Sequence, residues 1–165
     1  MKNIYLIGFM GTGKTSTGII VADLLNMNFV DTDICISSSQ DLSVPDIFRT
    51  MGEAKFREFE TKELLALSKS DNKVISCGGG MPLKEENREI MRKSGYIFLL
   101  SASPSELSSR LSGNSDRPLL KDTSPSHIAK MLKEREQHYL SCFDHIINTD
   151  RLSPQEAAES IISLL

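Results

Sequence analysis

The sequence predicts an α/β fold of three layers, in which helices cover both faces of a parallel sheet of five strands. Two observations support this prediction. Short apolar segments typical of strands alternate along the chain with segments of helical periodicity. The first apolar segment, Ile4 to Ile7, shows no alternation with polar residues and ends at a glycine, which is typical of a strand buried on both faces. The connections between such strands are expected to be right-handed.

Five short segments have the apolar character and the flanking turn residues of buried strands. These are residues 4–7, 28–31, 73–77, 96–100 and 143–148. Apolar residues at helical spacing follow each of them, and three prolines stand where the first turn of a helix accepts them. The predicted helices begin near Lys14, Pro45, Gly52, Glu85, Pro104, Pro125 and Ser153.

Two stretches depart from this alternation. The segment 34–51 is a polar break that contains the serine triplet Ser37 to Ser39 before the helix start at Pro45. Residues 112–124 have no periodicity and are rich in turn-forming residues. A loop of that length in a small domain is usually functional, so we expect it to be a lid.

Composition and charge limit the class of protein. The 165 residues include 22 acidic and 19 basic side chains, which give a formal net charge of −3, and 39% of them are hydrophobic. This size suits a single domain over residues 1–165, and the charge gives no overall attraction for nucleic acid. The three cysteines lack the close spacing of a metal site and predict reduced thiols. No apolar run approaches the roughly 18 residues of a membrane span, so we expect none. We also expect the protein to be cytoplasmic and a monomer.

A glycine-rich motif follows the first strand. Residues 8–15 read Gly-Phe-Met-Gly-Thr-Gly-Lys-Thr, fit the pattern G-x-x-x-x-G-K-[ST] and stand at a helix start. In this pattern backbone N–H groups cradle phosphate oxygens, Lys14 reaches the β- and γ-phosphates and the Thr15 hydroxyl ligates Mg²⁺. A chance match in a chain of this length is on the order of 1 in 200. The motif therefore predicts a nucleoside triphosphate site and leaves the second substrate open.

Two carboxylates follow the second strand. Side chains alternate along a strand, so Asp31 and Asp33 are expected on one face, near the carboxyl edge where α/β sheets bind ligands. One of them can hold Mg²⁺ through water, and the other can accept a proton from a hydroxyl group. The alternative is a pair that caps the following helix or is solvated in a loop.

Two arginines have spacings that point to an anion. Arg57 stands between Glu53 and Glu60 at helical intervals, which is also the pattern of a solvated ladder of ion pairs. Arg135 falls on the apolar face of its helix, which also carries Ile128. A core residue is expected there, so an arginine at that position needs an anion.

Together these residues resemble the shikimate kinase family. The resemblance follows one order along nearly the whole chain. It is carried by Asp31-Thr32-Asp33, Phe56-Arg57-x-x-Glu60, Gly78-Gly79-Gly80, Arg117-Pro118-Leu119-Leu120 and Arg135-x-x-x-Tyr139. The family phosphorylates the 3-hydroxyl of shikimate with ATP, in the pathway to chorismate and aromatic amino acids. Its P-loop kinase fold is similar to that of nucleoside monophosphate kinases.

On the nucleotide side, the resemblance implies a site for ATP as co-substrate with Mg²⁺ as cofactor. Thr15 and Asp31 are the implied metal-binding residues, and Lys14 and the lid residue Arg117 are the implied catalytic cations. The implied ATP-binding residues are Gly8, Gly11, Thr12, Gly13, Lys14, Thr15, Ser16, Arg110, Arg117 and Arg151. Arg110 and Arg151 correspond to arginines near the adenine, although lone arginines at helix ends are usually solvated.

On the acceptor side, the resemblance implies a shikimate site in which Asp33 is the catalytic base. Arg57 and Arg135 are the implied clamp on the carboxylate of shikimate, a role that suits the planar fork of arginine, with Glu60 orienting Arg57. The implied shikimate-binding residues are Asp33, Arg57, Gly78, Gly79, Gly80 and Arg135. The substrate-binding segment spans about residues 33–61. A simple flexible turn is the alternative for the three glycines.

The sequence departs from the family pattern directly after Asp33, in the substrate-binding segment. Residues 34–41 read Ile-Cys-Ile-Ser-Ser-Ser-Gln-Asp, where the family usually has acidic residues and then a glycine. Asp41 tolerates a left-handed turn better than most residues, so the fold there can survive.

The first alternative function is a related kinase, for gluconate or a nucleoside monophosphate. The second is a switch that binds nucleotide without transferring phosphate.

Overall fold

A computed structural model describes residues 1–112 and 122–165, and within them it confirms the predicted parallel sheet. The five strands in this part of the chain are β1 (Asn3–Ile7), β2 (Asn28–Asp31), β3 (Lys73–Ser76), β4 (Gly95–Ser101) and β5 (His145–Asn148). Their order across the sheet is β2-β3-β1-β4-β5, and every neighbouring pair is parallel. Strand β1 lies in the centre with all of its residues buried, which explains its unbroken apolar sequence.

Helices pack on both faces of this sheet. In the described residues they are α1 (Lys14–Leu24), α2 (Thr32–Gln40), α3 (Val44–Met51), α4 (Glu53–Leu67), α5 (Glu85–Ser94), α6 (Pro104–Ser112), α7 (Pro125–Leu140) and α8 (Pro154–Ser163), with a 3₁₀ turn at Met81–Leu83. Side chains alternate along β1, so Ile4 and Leu6 join a cluster with α1 and α8, whereas Tyr5 and Ile7 join a cluster with α4, α5 and α7. The three-layer prediction is confirmed.

The polar break predicted after β2 is wrong, because the serine triplet lies within helix α2. Serine is a weak helix former, but here both ends of the helix are fixed. The Asp31 side chain accepts hydrogen bonds from two backbone N–H groups in the first turn, and Asp41 ends the helix in the left-handed conformation with φ 52°. The tolerance expected of Asp41 is therefore confirmed. Ile36 is buried between these ends and anchors the helix.

The segment over residues 33–61 has a small apolar cluster of its own. Ile36, Ile47 and Phe56 are buried together there, one from each of α2, α3 and α4. Leu42, Val44, Phe48 and Phe59 pack around them. This cluster is separate from the two that cover the sheet. The segment is therefore held together by its own contacts, beside the carboxyl edge of the sheet.

The predicted lid over about residues 112–124 falls mostly on positions 113–121, which lie outside the described residues together with Arg117. Residues 122–124 lead into α7, where the Ser124 hydroxyl accepts from the His127 backbone N–H group. In the part of the chain that is described, none of the helices combines the length and the apolar character needed to cross a membrane.

Candidate active site

A cavity of about 870 Å³ opens at the carboxyl edge of the sheet. It is lined by the glycine-rich loop, the start of α2, the glycine turn after β3, and side chains of α4 and α7. Among the described residues, four of those that line the cavity are basic, in a chain with net negative charge: Lys14, Arg57, Arg110 and Arg135. The cavity therefore offers local positive charge to an anionic ligand, at the place where parallel α/β sheets bind ligands.

The glycine-rich loop curls at one end of the cavity. Gly8, Gly11 and Gly13 all have positive φ, and α1 begins directly afterwards at Lys14. The Lys14 ammonium folds back over the loop and donates to the carbonyl oxygens of Gly8 at 2.9 Å and Phe9 at 3.0 Å. This conformation points backbone N–H groups, the positive end of α1 and the lysine toward one region. Such an arrangement is suited to polyphosphate binding.

Arg110 supports the far side of this loop. Its guanidinium donates to the Gly11 carbonyl at 3.2 Å and to the Thr149 carbonyl at 2.6 Å. Thr149 is buried and its hydroxyl donates to the Thr12 carbonyl at 3.3 Å, so the loop is tied to the end of β5. Arg110 therefore lines the cavity and also positions the loop, which the sequence did not predict.

The end of the cavity beside Arg110 is lined by residues that sequence reasoning missed. They are Thr149, Leu152, Ser153, Pro154 and Ala157. Pro154 carries a signal only for a helix start, and an apolar wall has no spacing that marks it as a site. Arg151, in contrast, is exposed and is not among the residues that line the cavity. Its contact with nucleotide stays a prediction.

Asp31 caps helix α2, the alternative that the sequence left open, and it also contacts the glycine-rich loop. One carboxylate oxygen accepts from the backbone N–H groups of Asp33 at 3.0 Å and Ile34 at 3.4 Å and so caps α2. The other oxygen accepts from the Thr15 hydroxyl at 2.9 Å, and the Ser76 hydroxyl lies 3.3 Å from that of Thr15. Hydroxyl and carboxylate oxygens therefore converge beside the glycine-rich loop.

Asp33 reaches the cavity from a helix and not from a strand. Strand β2 ends at Asp31, so the predicted alternation along a strand is wrong, although both carboxylates line the cavity. A Cβ atom placed on Gly78 would lie 2.6 Å from Oδ1 of Asp33 and 2.9 Å from Oε1 of Glu60. The absence of a side chain at Gly78 therefore lets both carboxylates approach the glycine turn.

Glu60 is a fully buried carboxylate in α4. Burial raises its pKa, and this effect outweighs the neighbouring Arg57 guanidinium, which lowers it. Oε2 accepts from Arg57 at 2.6 Å, whereas the buried Oε1 has no hydrogen-bond partner among the described residues. Buried oxygens are normally paired, so Oε1 can accept a hydroxyl hydrogen from a ligand in the cavity.

Arg57 forms the ion pairs that its spacing suggested, but it is not solvated. It donates to Glu60 at 2.6 Å and to Glu53 at 2.9 Å, and its side chain is only 14% exposed. Burial lowers the pKa of Arg57, but Glu60 and Glu53 outweigh this effect, so the pKa is raised overall. The guanidinium therefore stays charged and packs against the space that a side chain on Gly80 would fill.

Arg135 reaches the cavity from α7 and lies beside Gly79, the neighbour of the glycine that Arg57 approaches. Its guanidinium carbon lies 5.5 Å from the centre of the Phe9 ring, and a Cβ atom on Gly79 would lie 3.7 Å from Nη1. Within the part of the chain that is described, Arg135 forms no ion pair with a carboxylate. Its charge is therefore available to an anion that enters the cavity, as expected for an arginine on a core face.

Comparisons with known proteins agree with this geometry. The family model for shikimate kinase matches residues 10–165. A shikimate kinase of Caldicellulosiruptor saccharolyticus is 47% identical over 165 residues, which is 99% of this chain and 95% of that protein.

Solved structures give the same result. A shikimate kinase from Acinetobacter baumannii in complex with shikimate superimposes with a TM-score of 0.93 at 32% identity, over 99% of this chain and 92% of that one. A shikimate kinase from Aquifex aeolicus superimposes with a TM-score of 0.84 at 34% identity, over 98% of this chain and 94% of that one. The sequence match and the structural match both extend over almost the full length, and the chain belongs to the shikimate kinase family.

Proposed function

We propose that this chain transfers the γ-phosphoryl group of ATP to the 3-hydroxyl of shikimate and forms shikimate 3-phosphate, in the pathway to chorismate and aromatic amino acids. One observation carries the proposal. A single cavity joins a phosphate-binding loop to the carboxylate of Asp33 and to two partly buried arginines, Arg57 and Arg135. The loop accounts for a nucleotide donor. The other three groups account for an acceptor that has both a carboxylate and hydroxyl groups.

For the donor, the loop over residues 8–16 binds the phosphates of ATP. Backbone N–H groups and the start of α1 face the phosphate oxygens, and Lys14 moves from the loop carbonyls to the β- and γ-phosphates. Arg110 keeps the loop in place at the nucleoside end. Arg117 lies outside the described residues, so its action on the phosphates stays a prediction from the resemblance.

The oxygen atoms beside the loop fit Mg²⁺. Thr15 Oγ1 and Asp31 Oδ2 lie 2.9 Å apart, and Mg²⁺ is usually bound by one or two such oxygens together with substrate phosphates. In the described residues no group of three or more His, Cys, Asp or Glu side chains forms a dedicated metal cage, which agrees with that mode. When bound, Mg²⁺ would neutralise charge on the β- and γ-phosphates. Thr15 and Asp31 are the residues that would hold it.

For the acceptor, Arg57 and Arg135 hold the carboxylate of shikimate beside the glycine turn, Arg57 near Gly80 and Arg135 near Gly79. Charge-assisted hydrogen bonds of this kind fix orientation as well as affinity. The turn Gly78-Gly79-Gly80 lets the ring approach the backbone, and Asp33 accepts the hydrogen of the 3-hydroxyl. The hydroxyl oxygen then attacks the γ-phosphorus in line with the leaving oxygen of ADP, and the proton passes to Asp33.

The test is release of ADP with Mg²⁺ and ATP, measured with and without shikimate, with quinate and gluconate as control acceptors. Release that depends on shikimate supports both the reaction and the acceptor. Release only with another acceptor leaves a kinase and contradicts shikimate as substrate. Binding of ATP without release in the presence of any acceptor favours a nucleotide-binding switch.

Gly80→Ala should raise the KM for shikimate by about tenfold or more and change the KM for ATP little. The backbone at Gly80 has φ −96°, so alanine fits the backbone without strain. The added Cβ atom would overlap the Arg57 guanidinium and displace it from Glu60 and Glu53. A displaced charged hydrogen bond costs about 1.5–3 kcal/mol, which corresponds to a factor of about ten to a hundred.

Steady-state kinetics with each substrate varied in turn checks this expectation. The same substitution made in an Arg57→Ala background is the control, because there the overlap no longer exists. An equal rise of both KM values in Gly80→Ala would contradict the proposed position of Arg57 in the acceptor site.

A further inference from the structure

Arg88 in α5 is a buried cation that lies outside the cavity. Its side chain is only 9% exposed, and it is not among the residues that line the cavity. Burial of a guanidinium is costly unless hydrogen bonds satisfy its N–H groups. Here Nη1 donates to the carbonyls of Pro82 at 2.6 Å and Leu83 at 3.2 Å, and Nη2 pairs with the Glu85 carboxylate. The 3₁₀ turn Met81–Leu83 therefore supplies two of its acceptors.

The glycine turn and this 3₁₀ turn form one hydrogen-bonded unit. The first and last N–H groups of the 3₁₀ turn donate to the carbonyls of Gly78 at 3.0 Å and Gly80 at 3.1 Å. The amide of Asn87, which precedes Arg88 in α5, donates to the carbonyl of Met81 at 2.9 Å. These two side chains of α5 therefore hold all three carbonyls of the 3₁₀ turn, and through it they fix the glycines that line the cavity.

Arg88 also reaches α7, the helix that carries Arg135. Its Nη1 lies 3.3 Å from Nδ1 of His138. A guanidinium can only donate, so this ring nitrogen is the acceptor and the imidazole carries its hydrogen on Nε2. The next residue, Tyr139, donates from its hydroxyl to the Gly79 carbonyl at 2.6 Å. Two links, one through α5 and one direct, therefore join α7 to the unit formed by the two turns.

This unit and α7 contribute separate parts of the acceptor site. Gly80 borders the Arg57 guanidinium, and α7 carries Arg135, which borders Gly79. Two arginines can share one carboxylate only when their separation is fixed. Among the described residues, those of α5 line no part of the cavity. Arg88 can therefore influence an acceptor only through the positions of the elements that it connects.

Stability alone accounts poorly for an arginine at this place. Nε of Arg88 is buried without a hydrogen-bond partner among the described residues. An unpaired buried N–H group costs stability, and apolar side chains of similar size stabilise an interior at least as well as buried charges do. What a guanidinium adds is a rigid planar fork that holds several acceptors in fixed positions. This property favours a role in positioning.

We propose that Arg88 is a positioning residue that holds the glycine turn and α7 at a fixed separation and so determines affinity for the carboxylate of the acceptor. This inference rests on the proposed function, because it takes Arg57 and Arg135 as the groups that bind that carboxylate. Arg88 itself touches neither substrate. It fixes the two parts of the acceptor site before the acceptor arrives, so less conformational entropy is lost on binding.

Arg88→Lys keeps the positive charge and removes the planar fork. An ammonium group can hold a carbonyl of the 3₁₀ turn, but it cannot span that turn and His138 together. Shikimate binding is measured by calorimetry without nucleotide, and KM is measured for each substrate. The Kd and KM for shikimate should rise about tenfold, and the KM for ATP should stay within about twofold. A loss of stability alone would reduce the amount of active enzyme and leave both KM values unchanged.

Arg92→Lys is the matched control. Arg92 lies one helical turn further along α5 and also reaches α7, where its guanidinium donates to the Ser141 carbonyl. Its carboxylate partner is Glu85, at 3.6 Å, which Arg88 also contacts. All three constants should therefore stay at their wild-type values in Arg92→Lys. The same rise in this variant as in Arg88→Lys would show that general contact between the two helices is what matters, and would overturn the proposal.

Two substitutions of His138 isolate the link to α7, and they serve as the test even where Arg88→Lys does not fold. His138→Phe removes the acceptor and keeps a ring, whereas His138→Asn keeps an acceptor oxygen near the place of Nδ1. The first should raise the Kd for shikimate about threefold to tenfold, and the second should bind shikimate like the wild type.

Wild-type shikimate binding by Arg88→Lys or by His138→Phe would overturn the proposal, as would an equal rise of both KM values. With an active wild-type enzyme, such results remove only the role of Arg88. A wild-type protein that neither binds shikimate nor releases ADP with it would overturn the proposed function first, and this inference with it.

Discussion

Lys14→Ala should lower shikimate-dependent ADP release by about a thousandfold, because it removes a cation that is aimed at charge that develops in the transition state. Without nucleotide, the ammonium group is held by the carbonyls of Gly8 and Phe9 at the mouth of the loop. Neutral carbonyl oxygens attract a full positive charge less strongly than anionic phosphate oxygens do. Phosphate oxygens can therefore displace them, and kcat measured with saturating ATP should show the loss.

The control for Lys14→Ala is Lys73→Ala. The Lys73 ammonium group also caps a backbone carbonyl, that of Ser70 at 2.8 Å, but it does not line the cavity. Both variants lose a lysine that interacts with its own loop, so they should have similar thermal stability. Turnover near the wild-type level in Lys14→Ala would show that the loop does not hold the transferred phosphoryl group.

Asp33→Asn should lower kcat by a factor of about a hundred to ten thousand, the usual range for loss of a general base. The amide has nearly the same size as the carboxylate, so it fits the narrow space beside Gly78. It cannot accept the proton of the acceptor hydroxyl. We expect a smaller change in the KM for shikimate, since the two arginines that bind the carboxylate remain.

Asp144→Asn provides the comparison for Asp33→Asn. The Asp144 carboxylate accepts from the Ile97 backbone N–H group at 2.8 Å and is not among the residues that line the cavity. Its replacement should affect stability alone. If Asp33→Asn keeps the wild-type kcat while the KM for shikimate rises, Asp33 binds the acceptor and another group takes the proton.

The glycine-rich loop and the sheet were predictable because their signals are local. A buried strand, a glycine turn and a helix start follow one another within residues 4–15, and each part of that pattern has its own physical cause. The residues that bind the acceptor were predicted from the family resemblance, because their motifs follow the family's order along the chain. The place of Asp33 on a helix was not predictable from alternation, because the chain turns into α2 immediately after Asp31 caps it.

The hydrogen bonds that stabilise the site could not be predicted from the sequence, for a different reason. The bond from Tyr139 to Gly79 joins residues 60 positions apart, and the bonds from Arg110 to Thr149 span 39 positions. No periodicity connects such pairs, because the fold alone brings them together. The polar break predicted at the serine triplet is wrong for a related reason. Capping by Asp31 and burial of Ile36 outweigh the low helix propensity of serine, and neither effect is visible in the local sequence.

The separate apolar cluster of Ile36, Ile47 and Phe56 has a consequence for how such enzymes diversify. The donor loop is built into the sheet, whereas α2, α3 and the first half of α4 are stabilised mainly by their own small core. Substitutions in these helices can therefore reshape what receives the phosphoryl group without disturbing what delivers it. A fold divided in this way can keep one chemistry through its evolutionary history while the choice of acceptor changes.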